Sequence, residues 1–289
     1  MMEFGGPWTT EKLSILEGYL NSYTTALKGQ PFRLVYVDAF AGSGEINIGE
    51  HGVSDFDSDS FVTGSTARAL SVSHRPFDHF VFVEKQADRY RELMELKAQH
   101  PDRLIDVKQD DANAFLASLS KQSFRRGLSA RAYVDWRGVL FVDPFGTELE
   151  WTTVEHIAAL HRLDMWLLVP VGAIGRMLPL SRNPDEVQPK WVHRLNIVFG
   201  GNHWRKLYSV SPQGDLFGQE ASEREPGVDG LLKIYKDQLK DVFSTRLLPE
   251  SRTLKNSKNS PLFEFIFCAG HPKGARIAKR IAKHLIERM

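Results

Sequence analysis

One cysteine, Cys268, stands in 289 residues. A single cysteine forms no internal disulfide and builds no multi-cysteine zinc site. Set in the apolar run FEFIFC, it reads as a buried structural thiol. Long apolar runs are missing too: none approaches the ~20 residues of a membrane span. The opening MMEFGGPWTTEK lacks the apolar core of a signal peptide. The expectation is therefore a cytoplasmic chain with no membrane partner. The ten histidines are scattered, with no H-x-x-x-H pair beside an acid, so no metal ligand is nominated. A serine hydrolase would want a G-x-S-x-G elbow, and AGSGE lacks that spacing. Charge of one sign is scarce as well. The formal net charge is +1, so a polyanion partner would need basic residues gathered on one face.

What is present is an ordinary globular composition, 42% hydrophobic and 25% charged. The length suits one large domain, or a domain with an insertion. Residues 9–27 place Leu13, Leu16, Leu20 and Tyr23 near helical spacing, with Thr9 or Thr10 as cap. Short apolar runs follow at 32–38, 79–84, 103–108, 138–143 and 164–171. Helical stretches alternate with them: STARALSV, ADRYRELMELKAQ, ANAFLASLS and WTTVEHIAALHR. That alternation predicts right-handed βαβ units on a parallel sheet. A last strand at 262–272 comes after a long irregular stretch and is expected to join antiparallel. A last helix follows it, with Ile277, Ile281 and Leu285 four apart. Residues 175–230 break the rhythm and read as a partly helical, partly flexible insertion after strand five. The proposed division is 1–174 with 231–289 as one domain, and 175–230 as an inserted recognition region. Residues 46–63 form a long loop, a candidate lid or plain surface.

The chemistry begins in VDAFAGSGE, residues 37–45, where Gly42 and Gly44 end the first strand. A glycine pair alone is also compatible with a tight loop. In a doubly wound sheet, however, that strand end faces the ligand crevice. Strand two ends at Glu84, suited to the two hydroxyls of a ribose. Strand three is followed by Asp110 and Asp111, and an acid there could accept from an adenine amine. Any one of these acids could instead cap a helix; together they fit an adenosine-bearing ligand. A dinucleotide would want a helix start directly after the glycines, and here a loop intervenes. Asp38 would repel a pyrophosphate but suits the cationic amino end of S-adenosylmethionine. An NAD(P)-binding oxidoreductase stays as an alternative. Strand four ends in DPFG. Asp143 and the Pro144 carbonyl could accept from a substrate amine, and Phe145 could stack on its ring. A simple turn also fits that composition.

DAFAGSG, FVEK, DDAN and DPFG, in that order, resemble class I S-adenosylmethionine-dependent methyltransferases that act on exocyclic amines of DNA or RNA bases. The resemblance implies a Rossmann-like α/β sheet, mostly parallel with an antiparallel C-terminal strand and a helical insertion after strand five. It implies that Asp38, Phe40, Ala41, Gly42 and Gly44 line the amino-acid end of S-adenosyl-L-methionine. Glu84 would take the ribose and Asp111 the adenine, with Lys85 and Ala112 also at the cofactor, and Asp143 would take the target amine, with Pro144 and Phe145 beside it as catalytic candidates. The product would be S-adenosyl-L-homocysteine. More of the chain is similar to one narrower family, the three-Cys-motif partner proteins. TEKLSILEGYL, YVDAFAGSGE, TGSTARAL, FVEK, DPFG and FEFIFCAGHPKGARIAKRI carry that likeness. It implies a partner, a three-cysteine protein that looks like a radical S-adenosylmethionine enzyme. The start also resembles ribosomal RNA adenine N6-methyltransferases, in which a lysine of the first helix nears the active site; Lys12 is the matching position. DPFG departs from the usual Asp-Pro-Pro-aromatic pattern, so the stacking ring sits one residue early or comes from elsewhere.

Two stretches could meet RNA or DNA. In WVHRLNIVFGGNHWRKLY, Arg194, His203, Arg205 and Lys206 interleave with Trp191, Trp204 and Tyr208, a pattern suited to stacking plus phosphate attraction. An amphipathic helix pair with solvated charges fits equally. The last helix carries Lys273, Arg276, Lys279, Arg280 and Lys283, a solvated face by default.

Overall fold

The computed structural model describes residues 7–43, 45–47, 61–121, 135–178, 183–210, 222–224 and 228–288. Helix α1 (Pro7–Ala26) leads into strand β1 (Phe32–Asp38). A short antiparallel pair follows, β2 (Glu45–Asn47) and β3 (Phe61–Thr63), and then α2 (Ser65–Leu70). The ends of the expected 46–63 loop are thus paired strands, and residues 48–60 lie outside the described residues. The βαβ rhythm continues through β4 (His79–Val83), α3 (Ala87–Gln99), β5 (Ile105–Lys108) and α4 (Ala112–Ser118). It goes on through β6 (Asp135–Val142), α5 (Trp151–Leu160), β7 (Leu163–Val169) and α6 (Val171–Met177). Next come α7 (Pro189–Phe199), a 3₁₀ turn at Asn202–Leu207, the antiparallel pair β8 (Tyr208–Val210) and β9 (Ser222–Arg224), and α8 (Val228–Phe243). The chain closes with β10 (Arg252–Lys255), β11 (Pro261–Cys268) and α9 (Ala275–Arg288).

Seven strands form one sheet in the order β5-β4-β1-β6-β7-β11-β10. The first five are parallel neighbours, while β11 runs antiparallel to β7 and to β10. This is the mostly parallel sheet with an antiparallel C-terminal strand of the class I methyltransferase fold. Strand β10 is missed by the sequence reading. RTLK is a short edge strand with charged residues at both ends, and its register slips at Lys255, so no apolar run announces it.

The period of two in the strands sends alternate residues to opposite faces. Val35, Val37, Leu140, Val142 and Ile266 face one core with α5, α7 and α8. Leu34, Tyr36, Val139, Phe141 and Phe265 face the other, with α1, α2 and α9. Helix α1 buries the predicted stripe, Leu13, Leu16, Leu20 and Tyr23. Helix α9 differs from expectation: Ile277 is 51% exposed, and the buried seam is Ala275, Ala282 and Ile286. Small residues there let the helix lie close to α1. Cys268 is fully buried, and burial pushes its thiol up. Residues of the 175–230 stretch share the first core, through Leu195, Phe199, Trp204 and Leu207.

At Gly138 the sheet is tightest. An added Cβ would sit 2.3 Å from the Val35 carbonyl oxygen and 2.8 Å from Leu163. Gly138→Ala should therefore destabilise by about 1–3 kcal/mol, read as a lower urea midpoint with an unchanged slope. An unchanged midpoint would show that β1 and β6 are not packed this closely.

Candidate active site

Parallel pairing brings the carboxyl ends of β1, β4, β5 and β6 to one edge of the sheet. Asp38 ends β1 and is 0% exposed. Its Oδ2 accepts from Ser65 Oγ at 2.5 Å and from Tyr36 Oη at 3.1 Å. Its Oδ1 is buried with no hydrogen-bond partner. Burial pushes the Asp38 carboxyl up to about 7; the bonds from Ser65, Tyr36 and the Phe40 backbone N–H work against that shift, and nearby Asp143 adds repulsion. The chain then turns through Phe40, half-buried against the first core, to Gly42 at φ +63°. That left-handed conformation favours glycine, and it aims the Gly42 N–H at Glu84 Oε2, 3.1 Å away. Glu84 Oε1 accepts from Gln86 N at 2.7 Å. The acid at the tip of β4 thus holds the glycine turn of β1 in place.

Asp111 caps α4. Its Oδ1 accepts from Asn113 N at 3.0 Å and Ala114 N at 3.3 Å, and Lys85 Nζ approaches Oδ2 at 3.2 Å. Burial raises its carboxyl, but the backbone bonds and Lys85 outweigh this and leave it below the usual range. Asn113 ties α4 to the segment after β6. Its amide donates to the Glu148 carbonyl at 2.9 Å, and its Oδ1 accepts from Glu150 N at 3.0 Å.

A cleft of about 250 Å³ opens between these strand ends. It brings together Phe40, Glu84, Lys85, Asp111, Ala112 and Phe145, all nominated from sequence, with Arg194 from α7. Asp110, Glu148 and Glu150, which were not nominated as site residues, also line it. Five carboxylates therefore face two cations, Lys85 and Arg194. Glu148 and Glu150 follow DPFG closely, and that spacing was the available signal. Ala41 is buried and Gly44 lies outside the described residues.

Beyond β6, Lys12 of α1 forms an ion pair with Asp143 Oδ2. Lys12 is buried and also sits 5.0 Å from the centre of the Trp8 ring. Pro144 follows in the same turn. Phe145 is partly exposed and packs under the Arg89 guanidinium, 4.3 Å from ring centre. The remaining substrate nominations divide. Trp204 is 0% exposed and donates to Asn196 Oδ1 at 2.8 Å, so its faces are closed to a nucleobase. Arg205 lies over Trp204 and pairs with Asp185 at 2.7 Å. Lys206 is exposed. Trp204 and Tyr208 therefore serve the core, and Trp191 is partly buried against it, because burial of an apolar ring is favourable. Among the described residues, no cluster of metal-ligating side chains occurs and no helix is long and apolar enough to cross a membrane.

No family model matches the chain, and no curated protein matches it. Solved structures do. Protein LPL1258 from Legionella pneumophila str. Philadelphia 1, of the family designated DUF519, is 13% identical. The alignment covers 95% of this chain and 90% of that one, with a TM-score of 0.52. The putative methyltransferase yhhF from Escherichia coli is 17% identical over 53% of this chain and 69% of its own, at a TM-score of 0.32. The N-terminal domain of EvdMO1 with SAH bound is 10% identical, covering 89% and 81%, at a TM-score of 0.37. The first of these likenesses establishes the shared fold. The strand order, with β11 antiparallel, is by itself that of the mostly parallel Rossmann-like sheet described above.

The folded Asp38 carboxyl lies at about 7 against an ordinary value of 3.8. The native chain thus keeps a proton that the unfolded chain releases between those values. This contribution to stability is complete at the acid end and is lost as pH rises through about 7. Asp38→Asn removes it. The urea midpoint of the variant relative to the wild type should climb from about pH 4 to about pH 7 and then level off. A pH-independent difference would show that Asp38 is not held protonated.

Proposed function

We propose that this chain transfers a methyl group from S-adenosylmethionine to a nitrogen, on an exocyclic amine of an RNA or DNA base. The observation that carries this is Asp38: a buried carboxyl at the tip of β1 with one oxygen lacking a partner. An orphaned buried acceptor is costly unless a donor arrives. An ammonium group is such a donor, and a cleft with five carboxylates against two cations favours a cationic ligand over a pyrophosphate. That balance argues against NAD(P).

When bound, S-adenosylmethionine supplies an electrophilic methyl on a sulfonium. The chain's own residues do the rest. Asp38 would receive the ammonium, Glu84 and Asp111 would face the ribose and adenine, and Gly42 keeps its turn open. Glu84 would do this while still accepting from Gly42 N and Gln86 N, since a carboxylate has capacity for more than two bonds. Asp143 would accept from the target amine with Oδ1, because Lys12 occupies Oδ2 and no other hydrogen bond to this carboxylate occurs among the described residues. The Pro144 carbonyl would accept the second N–H. In-line placement supplies the rate, and Asp143 orients the amine without acting as a strong base.

A second reading has an observation in its favour. Asp143 is already paired and Phe145 is already packed by Arg89. A methyltransferase-like module that holds cofactor for a three-cysteine, radical-S-adenosylmethionine-like partner would tolerate both. The three-Cys-motif partner family is the kinship we propose in either case.

Calorimetry should find S-adenosylmethionine binding that tightens as pH rises through about 7, with proton release, because the ammonium selects ionised Asp38. Asp38→Asn should weaken binding about 10-fold and abolish the release. Absence of binding, or binding unchanged in both Asp38→Asn and Glu84→Ala, would remove the cofactor assignment. Tritiated methyl transfer to total RNA, DNA and protein then separates the two readings. Asp143→Ala should lower labelling about 100-fold; equal labelling by variant and wild type would refute the role given to Asp143.

A further inference from the structure

We infer that Asn113, in the first turn of α4, is a positioning residue for methyl transfer: it fixes the segment that follows DPFG against the turn read as the adenine site. This rests on the proposed reading of Asp111 as an adenine contact and of Asp143 as the amine acceptor.

The side chain of Asn113 is given over to one distant segment. Its Nδ2 donates to the Glu148 carbonyl at 2.9 Å. Its Oδ1 accepts from Glu150 N at 3.0 Å and from Thr153 Oγ1 at 2.9 Å. A planar amide that donates on one side and accepts on the other sets both the distance and the orientation of what it binds. Helix α5 depends on that outside support. Glu150 is its N-cap residue, and the Glu150 side chain makes no capping bond. Asn113 takes up the Glu150 N–H instead, so α4 sets where α5 begins. Thr153 is buried, and its hydroxyl finds its acceptor in the same amide.

The tie crosses the site. Asn113 follows β5, and Glu148 and Glu150 follow β6, while β4 and β1 lie between those strands in the sheet. Glu84 and Asp38 stand at the two tips so bridged. Asn113 is also bound directly to the adenine side, since its own N–H donates to Asp111 Oδ1 at 3.0 Å. The stretch 143–150 is therefore anchored at both ends, Asp143 by Lys12 and Glu148 with Glu150 by Asn113. One residue thus links the acid that would hold the adenine to the segment that carries the amine acceptor. Methyl transfer needs amine and methyl in line, and a misplacement of about 1 Å can cost about 100-fold in rate. Asn113 acts on that placement through Asp111 on one side and residues 148–153 on the other.

The test uses the full chain, with S-adenosylhomocysteine for binding and tritiated S-adenosylmethionine with total RNA and DNA for transfer. Asn113→Ala should bind S-adenosylhomocysteine within about threefold of the wild type, yet lower kcat about 10- to 100-fold with little change in the KM for S-adenosylmethionine. Asn113→Asp, which keeps both accepted bonds, should recover part of that loss. Hydrogen exchange supplies a readout independent of substrate. In the wild type, S-adenosylhomocysteine should slow amide exchange at 112–116 and at 150–154; in Asn113→Ala it should slow the first segment alone. The inference falls if the ligand protects 150–154 equally in the variant, or protects that segment in neither protein. It falls too if Asn113→Ala loses S-adenosylhomocysteine binding, the mark of a merely structural tie, or transfers methyl as fast as an active wild type; these outcomes leave the proposed function standing. A wild type that binds S-adenosylhomocysteine but labels neither nucleic acid overturns the transfer reading and this inference together. Failure of the wild type to bind S-adenosylhomocysteine overturns the cofactor assignment itself.

Discussion

The arrangement depends on a carboxyl group that the fold buries without fully satisfying. Asp38 sits at the end of the interior strand β1 and is buried, with Ser65 and Tyr36 on one oxygen and no well-formed hydrogen bond on the other, although the Phe40 backbone N–H lies near the carboxyl. Leaving such an acceptor unmade costs about 1–3 kcal/mol. The sheet sustains that cost because β1 is hydrogen-bonded on both sides, to β4 and β6, and sandwiched between two apolar cores. A strand so constrained cannot relax to bring water to Asp38. Asp38 itself does not line the cleft; the next residues, Ala39 and Phe40, do, so a donor from the cleft would have to pass them to reach the unmet acceptor.

Around that acid the site is divided by the strand order. On the β4–β5 side, Glu84 steadies the Gly42 turn and Asp111 caps α4. Helix capping and ligand binding are compatible roles for these acids: each keeps lone pairs that backbone N–H groups do not use. On the face covered by α1, Lys12 meets Asp143 at the end of β6. A partly buried ion pair such as this is not strong evidence of stability, since desolvation offsets much of the attraction. Its effect here is positional. It joins the first helix to the tip of β6 and leaves one carboxylate oxygen available.

Residues 189–207 make a third contribution. Helix α7 and the 3₁₀ turn after it add Leu195, Phe199 and Trp204 to the core that covers one face of the sheet. Packed in this way, α7 brings Arg194 to the cleft rim while Trp204 disappears from the surface. A stretch that carries both basic and aromatic residues has thus been sorted by burial: rings inward, one guanidinium toward the site.

The sequence by itself determined the sheet class, the chain order of its main strands and the acids at their tips. Apolar runs of strand length and acids directly after them are local patterns, and local patterns are legible. It also pointed to Lys12, although only by likeness. Strand β10 stayed hidden because an edge strand with charged ends has no apolar signature. The inward turn of Trp204, the seam of α9 that bypasses Ile277, and the carboxylates Glu148 and Glu150 in the cleft were equally out of reach. Tertiary structure alone decided which face of each helix met the core, because that choice is made by neighbours distant in the chain. It alone brought Asp143 to Lys12, residues 131 positions apart in sequence.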